Sequence, residues 1–124
     1  MLVVDDQAPF RSAAKAVLSS LDGFELAGEA SSGPEAIELV GQLLPALVLM
    51  DINMPDMSGI EATRRIVTAH PEVVVFLCST YDPADLPAAA ASSGAAGYLH
   101  KEQLGPEMVR RLWEHRDSGW PTTG

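Results

Sequence analysis

Residues 49–59 read LMDINMPDMSG, an apolar strand pattern that ends on the single carboxylate of Asp51 and then turns sharply into a helix. Two distant segments follow the same pattern. Residues 3–6 read VVDD and residues 97–101 read GYLHK, so each of these apolar runs also ends in charge. Because the carboxyl ends of parallel strands meet at one edge of a sheet, we predict that three acids and one lysine converge there.

The composition indicates one globular domain with a single core. The chain has 124 residues, 47% of them apolar, which is enough to bury a core without disulfides. No apolar run approaches the roughly 20 residues that span a bilayer, so no membrane association is expected. The net charge of −9 argues against direct binding to nucleic acid. Cys78 is the only cysteine and no signal-peptide pattern precedes the first strand, which predicts a cytoplasmic protein.

Apolar runs alternate with helical patterns along the chain. The runs at residues 47–50 and 73–77 are apolar without alternation, which is typical of strands buried on both faces of a parallel sheet. We therefore predict an α/β fold with a five-stranded parallel doubly wound sheet and helices on both faces. Residues 118–124 have the composition of a linker or disordered tail. The predicted strand and helix pairs are 2–4 and 10–21, 24–30 and 34–44, 46–50 and 60–69, 73–78 and 85–93, and 96–99 and 104–115.

Two residues affect the predicted element boundaries. Pro87 falls where the fourth helix should begin, and proline is tolerated only in the first turn of a helix. We therefore predict that this helix begins near Asp85. Met1 lies directly before the first strand, which is predicted to be a residue or two shorter than usual.

Charged side chains stand at the carboxyl ends of the predicted strands, where open α/β sheets bind their ligands. Asp5, Asp6 and Asp51 would repel one another unless a divalent cation is bound among them. Oxygen ligands without histidine or cysteine favour a hard cation, and Mg²⁺ commonly takes one or two carboxylates. An aspartate beside Mg²⁺ and Lys101 can attack phosphorus and form an acyl phosphate. Asp51 is the candidate nucleophile because it stands alone at its strand end.

The adjacent acids Asp5 and Asp6 are then the candidate metal holders. A simpler interpretation remains for each residue taken singly. The acid pair could merely cap the following helix, and Lys101 could be an ordinary surface lysine. The joint occurrence of all four charged residues at predicted strand ends favours the chemical interpretation.

Taken together, these residues resemble the receiver domain of bacterial response regulators, which has a CheY-like (flavodoxin-like) fold. The resemblance covers about residues 1–117. Ser79, at the end of the fourth predicted strand, also falls where the pattern of that family needs it. Further segments are similar to the NarL/FixJ (LuxR-type) subfamily, namely DQ at 6–7, FR at 10–11, GIEAT at 59–63, YD at 81–82 and GAAGYL at 94–99.

The resemblance implies that a partner sensor histidine kinase phosphorylates Asp51. Mg²⁺ would be held by Asp5 or Asp6, by Asp51 and by the backbone carbonyl of Asn53. Lys101 would contact the phosphoryl group. The protein would then be a phosphoacceptor that assists its own phosphotransfer and dephosphorylation, and not a conventional turnover enzyme.

The resemblance also implies a two-state switch. Ser79 would be the hydroxyl that moves toward the new phosphoryl oxygens, and Tyr98 would be the aromatic residue that reorients with it. The sequence departs from the family at Thr80, where a small residue is usual, so this side chain is expected to affect access to the phosphoryl site. The match through Tyr81 and Asp82 assigns the switch role to Ser79 and not to Thr80.

The implied output is an interface that controls a DNA-binding transcription domain absent from this chain. DNA would be contacted only through that domain, and the resemblance allows for a homodimer on phosphorylation. A haloacid-dehalogenase-like phosphatase is the alternative, since it also uses an aspartyl nucleophile and Mg²⁺. That family needs a second acid two residues after the nucleophile, where this chain has Asn53. A degenerate pseudo-receiver that acts only as a binding module is the third hypothesis, and the complete set of acids and lysine argues against it.

Overall fold

A computed structural model describes residues 1–118, which form one five-stranded parallel sheet of order β2-β1-β3-β4-β5. The fold class predicted from the sequence is confirmed. The strands are β1 Leu2–Val4, β2 Gly28–Ala30, β3 Leu47–Asp51, β4 Val74–Ser79 and β5 Gly97–His100. The helices are α1 Ala8–Ser19, α2 Gly33–Leu43, α3 Gly59–Ala69, α4 Ala88–Ala91 and α5 Pro106–Glu114, with 3-10 turns at Pro83–Asp85 and Lys101–Gln103.

Helices cover both faces of the sheet because alternate residues of each strand point to opposite sides. On β3, Val48 and Met50 pack in one core with residues of α2 and α3, whereas Leu47 and Leu49 pack in a second core with residues of α1 and α5. Within residues 1–118, no helix combines the length and apolarity needed to cross a bilayer. The predicted tail, residues 118–124, lies outside the described residues except for Ser118.

The strand order places a topological switch point between β1 and β3. The chain runs from β1 to β2 on one side of β1 and then from β2 to β3 on its other side, so ligands are expected at the carboxyl ends of β1 and β3. Val4 pairs with Met50, which brings the next residues, Asp5 and Asp51, side by side. Ser79 pairs with His100 at the end of β4 and β5, so Lys101 follows at the same edge.

Two predicted elements are wrong in extent. The predicted strand 24–30 reduces to Gly28–Ala30, because β1 begins at Leu2 and pairs there with Gly28, which leaves residues 24–26 without a neighbouring strand. The fourth helix begins at Ala88 and not near Asp85. Proline disfavours helical backbone in the residue before it, and both Leu86 and Pro87 are extended with ψ at 141°, so the helix begins after Pro87.

The turn from β3 into α3 holds the end of β3 against the start of a helix. Ser58 is the N-cap of α3, and its side chain accepts a 3.2 Å hydrogen bond from the backbone N–H of Glu61. Gly59 N donates to the carbonyl of Ile52 at 2.9 Å, which brings the helix backbone close to Asp51. This turn holds the start of α3 against the backbone at the end of β3, where Asp51 lies.

Candidate functional site

Three carboxylates meet at the switch point, as the sequence predicted. One oxygen each from Asp5, Asp6 and Asp51 can be chosen so that all three lie within 4.8 Å of one another. Asp5 and Asp51 are buried, with 0% and 3% of their surface exposed, whereas Asp6 is open to solvent. Two buried anions this close repel each other unless a cation lies between them.

Asp5 is fixed by its own segment of chain. Its Oδ1 accepts a 2.8 Å hydrogen bond from the backbone N–H of Gln7, and its carbonyl oxygen accepts a 2.7 Å hydrogen bond from Nη1 of Arg11. Its Oδ2 lies 2.7 Å from Nζ of Lys101, so this buried oxygen is paired with the Lys101 ammonium. The carboxylate is therefore held in a fixed orientation, with Oδ1 bonded to the backbone and Oδ2 facing the Lys101 ammonium.

Lys101 supplies the opposing charge. Its Nζ lies 2.7 Å from Oδ2 of Asp5 and 3.5 Å from Oδ1 of Asp51, so one ammonium serves two carboxylates. Burial lowers the pKa of Lys101, but the carboxylates of Asp5 and Asp51 outweigh burial and the net pKa lies above the usual value. The side chain is therefore a cation at any physiological pH.

The pKa of Asp51 is strongly shifted by its surroundings. Burial first, and then the charge of Asp5, raise the pKa of Asp51 to about 6, although Lys101 and the backbone of Asn53 oppose this rise. At neutral pH most molecules carry Asp51 as the carboxylate, which is the form that can act as a nucleophile. Ionising this buried group costs folding free energy.

We predict that Asp51→Asn makes the fold more stable at pH 7.5 in buffer free of divalent cations. The pKa of Asp51 is raised in the folded chain, so the stability this carboxyl contributes is fully present below about pH 4 and is lost as the pH rises through about 6. The loss amounts to roughly 2 to 3 kcal/mol. Urea denaturation at pH 7.5 should therefore give a higher free energy of unfolding for the variant, and the difference should shrink as the pH falls.

Asp56→Asn is the matched control, because Asp56 is an exposed acid on the same turn and has a left-handed backbone, with φ at 69°, that asparagine adopts well. It should keep the wild-type dependence of stability on pH. If Asp51→Asn also kept the wild-type dependence of stability on pH, that dependence could not be assigned to Asp51.

A hydroxyl network lies beside the carboxylates. The Oγ of Ser79, which is 1% exposed, lies 2.7 Å from the hydroxyl of Tyr98 and accepts a 3.1 Å hydrogen bond from the backbone N–H of Tyr81. The Tyr98 hydroxyl also contacts the carbonyl oxygen of Tyr81. All these groups are satisfied if Ser79 donates to Tyr98 and Tyr98 donates to Tyr81. Tyr98 thus ties the loop after β4 to β5.

Most of the predicted site residues line one cavity of about 230 Å³ at the carboxyl edge of the sheet. Asp5 and Tyr98 do not line it, but Asp5 contacts the lining residue Lys101 and Tyr98 contacts the lining residue Ser79. Thr80 is exposed and lies in its wall. Gln7 was not among the predicted site residues, although its position directly after Asp6 was a usable signal. The lining consists of Asp6, Gln7, Asp51, Asn53, Ser79, Thr80 and Lys101.

Comparison with known proteins decides the family. The profile of the response regulator receiver domain matches residues 1–112. The chain belongs to this family. GacA, a response regulator of Pseudomonas viridiflava, is 36% identical over 112 residues, which are 90% of this chain and 52% of GacA. DegU, a transcriptional regulatory protein of Brevibacillus brevis, is 37% identical over 90% of this chain and 48% of its own length.

Solved structures give the same result for the fold of the receiver domain. A signal receiver domain from Mycobacterium tuberculosis, assigned to a response regulator NarL, superposes with a TM-score of 0.82 at 31% identity and covers 94% of each chain. The NarL/FixJ (LuxR-type) assignment made from the sequence is therefore confirmed, and the phosphatase and pseudo-receiver alternatives are not favoured. This receiver chain spans about half the length of the curated relatives it matches.

Proposed function

We propose that Asp51 of this receiver accepts a phosphoryl group from a sensor histidine kinase and that the modification switches an interface on the domain. One observation carries the proposal: the ammonium of Lys101 lies 3.5 Å from Asp51 in a cluster of three carboxylates whose oxygens lie within 4.8 Å. A nucleophile, a site for a cation and a fixed positive charge are the groups that phosphoryl transfer needs.

The residues at this site fit Mg²⁺. The buried Oδ2 of Asp5 has only the Lys101 ammonium beside it, and one oxygen each from Asp5, Asp6 and Asp51 lies within 4.8 Å of the others. An all-oxygen donor set is the one that Mg²⁺ prefers. We therefore propose Asp5, Asp6, Asp51 and the backbone carbonyl of Asn53 as its holders. Bound there, Mg²⁺ would offset carboxylate repulsion and the charge of the transferred group.

The chain's own groups account for the transfer step. A carboxylate oxygen of Asp51 attacks phosphorus, the bond from phosphorus to the donor nitrogen or oxygen breaks, and the donor leaves with its electron pair. The product is an acyl phosphate on Asp51. Lys101, already 3.5 Å from this carboxylate, is positioned to contact the phosphoryl oxygens. Thr80 and Gln7 at the cavity wall would limit the approach of donor and water.

The switch is proposed to act through Ser79 and Tyr98. A phosphoryl group on Asp51 adds strong acceptors beside the Ser79 hydroxyl, which can turn toward them. That rotation breaks the 2.7 Å contact with Tyr98, and Tyr98 then loses one of the bonds that hold it against the loop at Tyr81. The surface around the loop after β4 and β5 changes as a result.

Several further proposals follow from family membership. The receiver is proposed to extend to residue 117, with residues 118–124 as a linker to an output domain that binds DNA, which the relation to the transcriptional regulatory protein DegU supports. We also propose a homodimer on phosphorylation, a cytoplasmic location and no catalytic turnover of other substrates. The lone cysteine supports the location, and Asn53 in place of an acid supports the absence of turnover.

The test is to incubate the protein with acetyl phosphate and Mg²⁺ and measure the intact mass. We expect a gain of one phosphoryl group that hydroxylamine removes and that chelation of Mg²⁺ prevents. The gain should be absent from Asp51→Asn and unchanged in Asp56→Asn, which alters an exposed acid of the same turn. A persistent gain in Asp51→Asn would contradict the choice of nucleophile, and rapid hydrolysis of phosphate monoesters would favour the phosphatase.

A further inference from the structure

Lys101 has a neighbour that belongs to neither the acids nor the switch. Its Nζ lies 4.5 Å from the centroid of the Phe10 ring, on the ring face. A lysine ammonium within about 6 Å of an aromatic centroid is attracted by the negative face of the ring, and the attraction grows as the pair is shielded from water. Only 16% of the Lys101 side chain is exposed, so shielding is considerable.

Phe10 is held in place by the same segment that holds Asp5. The backbone N–H groups of Phe10 and Arg11 both donate to the carbonyl of Gln7 at 3.1 Å, and the N–H of Gln7 donates to Oδ1 of Asp5. The end of β1 and the first turn of α1 therefore present a carboxylate and a ring face to the same ammonium. The Phe10 ring also packs against the core beneath α1 and α5.

We propose that Phe10 is a positioning residue that keeps the Lys101 ammonium over the phosphoryl site, an inference that rests on the phosphoryl transfer proposed above. A lysine side chain has many rotamers, and most of them would carry Nζ away from Asp51. Asp5 alone is an unreliable anchor, because a divalent cation at the carboxylates competes with Lys101 for its charge. The divalent cation does not compete for the ring face, so the Phe10 ring still holds the Lys101 ammonium when that cation is bound.

The experiment compares Phe10→Leu, which removes the ring, with Phe10→Tyr, which keeps it. The rate of Asp51 phosphorylation by acetyl phosphate with saturating Mg²⁺ should fall about three- to tenfold in Phe10→Leu and by less than about twofold in Phe10→Tyr. Leu18→Val is the control for general loosening, because Leu18 is buried in α1 away from the cavity. It should lower the melting temperature without changing the rate.

Two further readouts separate positioning from a structural role. In a Lys101→Met background, Phe10→Leu should cause no further loss of rate, because its effect acts through the ammonium. In NMR spectra with Mg²⁺ and without phosphodonor, the Lys101 side-chain methylenes nearest Nζ should show ring-current shifts in wild type and Phe10→Tyr that vanish in Phe10→Leu.

The outcomes distinguish this inference from the proposal beneath it. If wild type is labelled and Phe10→Leu is labelled equally fast, the positioning role is wrong while the phosphoacceptor role stands. The positioning role is also wrong if Phe10→Leu and Phe10→Tyr lose the same amount of phosphorylation rate. It is wrong as well if Phe10→Leu lowers the rate as much in the Lys101→Met background as in wild type. If wild type takes no phosphoryl group, the phosphoacceptor role fails and the positioning role fails with it.

Discussion

Lys101→Met is expected to slow phosphorylation of Asp51 by about 100-fold with acetyl phosphate and saturating Mg²⁺. The ammonium lies 3.5 Å from the attacking carboxylate, so it is placed where negative charge builds up on the transferred phosphoryl oxygens. A preorganised charge of this kind typically supplies a hundredfold or more in rate, and methionine has a similar length without the charge. The rate is measured from intact mass against time.

Lys15→Met is the matched control, because it removes one positive charge from a surface ion pair between Lys15 of α1 and Glu29 of β2. A charge lost far from the cavity should leave the labelling rate within about twofold of wild type. An equal slowing in both variants would mean that net charge, and not the position of Lys101, governs the reaction.

Lys101→Met should also destabilise the fold in the absence of divalent cations. Removing Lys101 leaves the fully buried Asp5 carboxylate without its cation, which typically costs roughly 2 to 4 kcal/mol. Added Mg²⁺ should recover much of this loss, because it binds the folded acids and not the unfolded chain. Urea denaturation with and without Mg²⁺ measures both effects, and a Lys101→Met variant as stable as wild type in chelator would contradict the ion pair.

The sequence predicted those parts of the molecule that depend on local pattern. The uninterrupted apolar run of β3 identified a central strand. Parallel pairing of the strands then brings Asp5, Asp51 and Lys101 to one edge of the sheet, regardless of the conformation of the loops. Boundaries were less reliable where two local rules competed. At residues 85–87, the tolerance of helices for proline in a first turn favoured a longer helix, but the restriction on the residue before proline prevailed.

Contacts between side chains from distant elements could not be predicted in the same way. The bond between Ser79 and Tyr98 depends on the register of β4 with β5, and the contact between Phe10 and Lys101 depends on how α1 lies against the end of β5. Neither relation leaves a periodic signal in the chain. Nothing in the sequence identifies Phe10 as a neighbour of Lys101, and only its 4.5 Å approach to the ammonium suggests this role.

Gly59→Ala is expected to lower the free energy of unfolding by about 3 kcal/mol or more. A Cβ at this position would lie 1.9 Å from the carbonyl oxygen of Asp51 and 3.0 Å from Cγ of Met50. The first of these atoms is backbone in a buried strand, so no side-chain rotation can relieve the overlap. The turn must open, which weakens the 2.9 Å hydrogen bond from Gly59 N to Ile52 and moves Asp51.

Gly41→Ala gives the opposite expectation for the same chemical change. Gly41 lies within α2 and a Cβ there meets no atom within 4 Å, so alanine should stabilise the fold by roughly 0.5 to 1 kcal/mol through its higher helix propensity. In urea denaturation, the free energy of unfolding should therefore be lower than wild type for Gly59→Ala and higher than wild type for Gly41→Ala. Because the displaced Asp51 also leaves the reach of Lys101, only Gly59→Ala should slow labelling by acetyl phosphate at a temperature where both variants are folded. A stable Gly59→Ala variant with the wild-type labelling rate would show that the close approach of α3 to β3 is not what positions the phosphoryl site.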